Sequence, residues 1–147
     1  MPRIPVESDS CSSRVLESLN VAMSSFEKGA SHVDLPIWLT TPEEESISLE
    51  TVLVEADILY AMKPSEILFF LANILCLIVR FKRFESVVNI YGTVMFLLTD
   101  APNRSEYREI ATLEQKSILI STMRVVQKAA FGSEQEEDIV ALAASLF

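Results

Sequence analysis

From Ile67 to Phe81 every position is apolar except Asn73 and Arg80, and a second, largely apolar run follows from Val87 to Leu98. The cationic stretch Arg80-Phe81-Lys82-Arg83 sits between them. This pattern predicts two consecutive helices, Ser65 to Arg83 and Phe84 to Leu98, forming a central hairpin. The first has no polar stripe, and a helix apolar on every face belongs at the centre of a bundle or in a membrane. Its fifteen-residue block would span about 22 Å, short of the roughly 30 Å of bilayer hydrocarbon, so a core position is expected. Asn73 should then make one specific interhelical hydrogen bond, because a buried unpaired amide costs about 1–3 kcal/mol. The second helix carries a thin polar stripe of Glu85, Asn89, Gly92 and Thr93. Continued by the helical period, that stripe lands on Phe96, which must be covered by another segment or exposed. Gly92 costs about 1 kcal/mol relative to alanine within a helix, which points to close helix–helix approach or to a kink.

Around the hairpin the pattern is amphipathic. Residues 1–11 read as a flexible arm and 12–147 as a helical bundle domain. From Ser12, the positions Val15, Leu19, Ala22 or Met23, and Phe26 form one apolar stripe, closed by Gly29. Pro36 biases the stretch Leu35 to Leu39 towards an extended conformation. Its Trp38 either folds back as an apolar latch or serves as a partner-binding anchor. Thr41-Pro42-Glu43-Glu44-Glu45 has the residues of a helix start, and a helix from there to Met62 is expected. Thr99 to Arg104 reads as a loop, after which Asn103 or Ser105 caps a helix reaching Phe131, with a bend near Thr112. That helix should expose Glu114, Ser117, Ser121, Arg124 and Lys128 and bury Leu119, Met123, Val126 and Ala130, with Gly132 closing it. Ser133 to Glu136 is a capping box for a last helix that buries Ile139, Leu142, Ala143 and Leu146. The expected fold is all-α, a single-domain bundle of about six helices around the 64–99 hairpin.

An apolar central hairpin wrapped by amphipathic helices resembles the Bcl-2-like fold, including its compact viral members. The resemblance covers Ser65 to Leu98 and implies a helical regulator by architecture alone. The Asn-Trp-Gly-Arg signature of that family is missing and Gly92 sits in a different context, so no residue roles carry over.

Composition narrows the function classes. Three glycines, at 29, 92 and 132, neither supply the turns of a many-stranded fold nor build a phosphate cradle. A formal net charge of -9 repels nucleic-acid backbones and anionic membrane surfaces alike, so neither is an expected partner. The two cysteines, Cys11 and Cys76, make no disulfide framework, and no signal-peptide pattern opens the chain, so an intracellular location, cytoplasmic or nuclear, is expected. His32 is the one histidine and falls in an expected loop. The acidic clusters at Glu43–Glu45 and Glu134–Asp138 sit at expected helix starts, where the helix dipole accounts for them. No catalytic, cofactor-binding or metal-binding residues are therefore assigned. The expectation is a non-enzymatic protein–protein interaction module that self-associates or binds a protein partner, through Trp38 or through Phe96 with its neighbours Asn89, Thr93 and Asp100. A helical hairpin inserting into a membrane is the alternative.

Overall fold

The computed structural model describes residues 7–26, 35–99, 101–132 and 136–146. Among them are eight α-helices and no strand: α1 (Glu7–Met23), α2 (Ile37–Thr40), α3 (Leu49–Glu55), α4 (Pro64–Arg80), α5 (Val87–Thr99), α6 (Ala101–Ile110), α7 (Leu113–Phe131) and α8 (Glu136–Leu146). A 3-10 turn, Ala56–Ala61, joins α3 to the loop before α4.

The molecule is assembled around α4. No residue from Pro64 to Lys82 is exposed, and α4 packs against α1, α2, α5, α6 and α7. Pro64 occupies its first turn, where its missing N–H is no loss, and the Glu66 carboxylate accepts the Lys63 N–H at 3.0 Å. Leu68, Leu71, Ile74, Leu75, Leu77 and Ile78 are all sealed from solvent. Each such side chain contributes about 1.5–3 kcal/mol of burial. The half-buried positions Ser65, Phe69, Asn73, Cys76 and Arg80 follow one another at helical spacing. Two of them reach across to the preceding loop. Asn73 Nδ2 donates to the Leu39 carbonyl of α2 at 2.8 Å, which is the expected interhelical bond.

Arg80 corrects the expected Thr41 helix start. Its Nη1 donates to the Pro42 carbonyl at 2.7 Å and to the Glu44 carbonyl at 2.8 Å, while the guanidinium lies 4.9 Å from the centre of the Phe81 ring. Thr41 N–H donates back to Ile37 O at 2.7 Å and so ends α2 instead of opening a helix. The chain then turns until Ser48, whose hydroxyl accepts the Thr51 N–H and caps α3. With the carbonyls of 42 and 44 committed to a distant guanidinium, the local helix signal of Pro42 and the three glutamates is overridden.

Other boundaries shift in smaller ways. Helix α1 begins at Glu7, within the stretch read as an arm, while Gly29, His32 and Ser133 lie outside the described residues. The segment after Pro36 is a helical turn, not an extended strand. Helix α6 begins at Ala101, so Pro102 stands in its first turn instead of a loop. The expected bend near Thr112 is a full break. Thr112 caps α7 in a reciprocal box with Gln115, each side chain satisfying the other's backbone N–H.

Gln115 also ties the first helix to the seventh. Its Nε2 donates to Ala22 O at 2.9 Å and to Ser25 Oγ at 3.2 Å, satisfying the carboxyl end of α1. Leu119, Met123 and Val126 of α7 are buried as expected, while Ala130, expected buried, and Arg124, expected exposed, are both half-buried; Gly132 closes the helix in the left-handed conformation at φ +77°. At the far end Arg108 Nη2 donates to Ala144 O of α8 at 2.7 Å, and Lys116 Nζ donates to Arg108 O at 3.0 Å. Ile139, Leu142 and Leu146 bury α8 against α5, α6 and α7.

Replacing Arg80 by Met keeps the apolar stem but leaves both loop carbonyls without their donor. Urea denaturation should show a loss of about 2 kcal/mol, and Arg80→Lys should recover only part of it, because an ammonium cannot reproduce the planar guanidinium. Unchanged stability in Arg80→Met would show that the loop does not depend on this contact.

Candidate functional site

Two polar groups inside the fold show what reactive chemistry is on hand. Cys76 is half-buried on α4 and borders a cleft of about 290 Å³ lined also by Leu16, Glu17, Asn20, Glu43, Ala72 and Asn73. Burial pushes its thiol above the ordinary 9.0, the Glu43 carboxylate adds to the rise, and Arg80 opposes it. The thiol is thus held protonated at neutral pH, the reverse of what a nucleophilic cysteine needs. Tyr107 on α6 is fully enclosed, and its hydroxyl has no hydrogen-bond partner among the described residues. Burial first, and the Glu106 charge second, push its phenol well above 10.0. Among the described residues, no group of three or more His, Cys, Asp and Glu side chains is placed to hold a metal ion.

The surface offers more. Ser86 to Thr99 contains no Asp, Glu, Lys or Arg in a chain of net charge -9. Helix α5 buries Val87, Ile90, Tyr91, Val94, Leu97 and Leu98 and turns its other side outward. That outer side carries Val88, Asn89, Gly92 and Phe96, with Thr93 at its edge. Phe96 is 52% exposed and lies beside Tyr60, 53% exposed, at the end of the 3-10 turn; their ring centres are 6.2 Å apart and tilted by 55°. Val88 and Phe84 are about half exposed as well. Tilted aromatic contact at this distance is attractive, so the pair fixes both rings in place while leaving half of each in water. The Thr93 hydroxyl donates to Asn89 O at 3.0 Å, which holds the polar edge of the face within its own helix.

The expected partner-binding residues therefore separate. Asn89, Thr93 and Phe96 come together on one face. Trp38 does not join them: it is 1% exposed, and its indole Nε1 donates to Glu55 Oε1 at 2.9 Å. A side chain buried and satisfied in this way is a latch closing α2 over α4, and the anchor role expected for it is corrected. Asp100 lies outside the described residues. Tyr60 and Val88 complete the face and lie beyond the expected residues, while Phe84, with the Arg83 guanidinium 5.9 Å from its ring centre, stands in the charged turn before α5. Val88 could have been found, since it stands four residues before Gly92 on the same line. Tyr60 comes from another element and carries no such signal.

Gly92 is also reinterpreted. A Cβ built there would meet nothing within 4 Å, and α5 runs unbroken through it. Neither close approach of a neighbouring helix nor a kink accounts for this glycine among the described residues.

Comparisons of the chain with known protein families, with curated proteins and with solved structures find no match.

The Tyr107 hydroxyl allows a direct check on the interior. Tyr107→Phe removes a hydroxyl without a partner among the described residues and should leave stability at pH 7 unchanged or higher by up to about 1 kcal/mol. A phenol whose folded value is raised contributes stability that is intact below pH 10.0 and lost as pH rises towards the folded value. Thermal melts between pH 9 and pH 11.5 should therefore fall less steeply for Tyr107→Phe than for the parent. Parallel slopes would mean the phenol is solvated.

Proposed function

We propose that this protein is a non-enzymatic, intracellular protein–protein interaction module, an adaptor or assembly subunit whose recognition surface is the outer face of α5. The observation carrying the reading is the Phe96–Tyr60 pair, two aromatic rings held half out of the fold on an uncharged helix face. Aromatic side chains in fixed positions are the usual anchors of protein interfaces, since little conformational entropy is lost when they are covered. Elsewhere the exposed sides of the long helices carry charge, as at Glu17 on α1, Glu109 on α6, Lys128 on α7 and Glu137 on α8.

Insertion of the α4–α5 hairpin into a membrane is the weaker reading. Among the described residues no helix is long and apolar enough to cross one. Seventeen residues of α4 reach about 26 Å. Releasing it would also strip the Arg80 contacts to the 42–44 loop and the Asn73 contact to α2.

Phe96→Glu tests the interaction reading. Because the ring is half exposed, the variant should melt within about 3 °C of the parent. It should nevertheless lose both self-association in sedimentation and recovery of any protein that co-purifies with the tagged parent chain. If Phe96→Glu and Tyr60→Glu both fold and change neither property, the α5 face is not a recognition surface.

A further inference from the structure

The residues around Gly92 have a symmetry that bears on what covers the face. Val88 precedes it by four positions and Phe96 follows it by four, so the three lie along one ridge with the glycine at its midpoint. Ridges of this i±4 kind are the ones that interdigitate when two helices cross. If a second α5 lies antiparallel and crosses at Gly92, a two-fold axis through that point sets position 92−k opposite position 92+k. Val88 then meets the other copy's Phe96, twice over, and Asn89 comes opposite Met95. A lone valine–phenylalanine spacing has no such consequence. Centred on a residue without a side chain, it makes an isologous patch complementary to itself.

We propose that α5 is the seam of a homodimer in which two copies cross antiparallel at Gly92, with Val88 of each packing against Phe96 of the other. The proposal rests on reading the α5 face as a protein-binding surface and names its occupant. Two observations carry it besides the spacing. Gly92 weakens its helix by about 1 kcal/mol, and the space a Cβ would enter is empty; close approach of a second helix backbone makes use of that space. The face is also the place where two chains of charge -9 can meet without setting carboxylates against each other, since Ser86 to Thr99 carries none. The area is small. A fully covered aromatic side chain buries about 150–250 Å², so half-exposed Phe96 and Tyr60 with Val88 and the polar edge offer on the order of 400 Å² per copy. Two copies reach roughly 800 Å², below the usual size of a stable interface and fitted to weak, transient association.

The test is sedimentation of the full chain from about 1 to about 100 µM, and a concentration-dependent monomer–dimer equilibrium is expected. Gly92→Gln enters open space in the monomer and improves the helix, so its melting temperature should rise while dimerisation weakens at least about tenfold. Val88→Lys and Phe96→Glu should each be monomeric, and mixing the two should restore dimers, because antiparallel crossing sets the new charges opposite. A parent chain monomeric throughout the range, a Gly92→Gln chain that dimerises like the parent, or a mixture that stays monomeric each overturns the proposal. If the parent is monomeric while Phe96→Glu still abolishes recovery of a different protein, the homodimer falls and the wider reading of the face stands. Loss of neither property removes both.

Discussion

A helix without a polar face has to be covered on every side, and that requirement shapes this protein. Helix α4 is only partly open to solvent, chiefly along the line of Ser65, Phe69, Asn73, Cys76 and Arg80, so the remaining elements are placed by the need to enclose the rest of it. Helices α1, α5, α6 and α7 supply most of the cover, and the short α2 with the loop after it closes the remaining edge. Along that edge the packing is reinforced by polar contacts: Asn73 holds the Leu39 carbonyl, and Arg80 holds those of Pro42 and Glu44. The two residues that interrupt the apolar block are thus the two that fasten its least helical covering.

What could be read from the chain follows the range of the forces involved. Periodicity located α4, α5 and α7 because burial acts on whole faces, and a face is a local pattern. It also carried the α5 stripe through to Phe96, the residue at the centre of the candidate surface. Capping residues were less dependable. Thr41-Pro42-Glu43 has every local requirement of a helix start, yet a guanidinium from α4 takes the carbonyls that the helix would have used. Thr112 and Gln115 form a reciprocal capping box, so the single bent helix expected up to Phe131 is two separate helices. Trp38 was undecided because an isolated tryptophan after a proline has no periodic neighbours to show which way it faces. Gly92 points equally to close helix–helix approach and to a kink, since a sequence shows neither the course of the helix nor whether an approaching helix is the chain's own.

Electrostatics separate the interior from the outer surface in a consistent way. The groups that sit within the fold are kept neutral or are tied to backbone: Cys76 is held as a thiol, Tyr107 as a phenol, and Gln115 and Lys116 donate to carbonyls of neighbouring segments. Among the described acidic side chains all but Glu66 are exposed, where they promote solubility and discourage contact with other acidic surfaces. An uncharged strip on such a molecule is consequently a selective feature, because repulsion limits which parts of two copies can meet.

The bond from Gln115 to Ala22 joins residues 93 positions apart. Closing a loop of that length costs about 2 kcal/mol more than closing one of ten residues, and the cost must be met before the contacts of α1 offset it. Helix α1 packs on α4 as well as on α7, so only the α7 half of its cover carries that cost. Until it docks, the cleft side of α4 around Ala72 and Cys76 is open. A chain that stops short of α7 would leave the α7-facing side of α1 uncovered even with α4 in place.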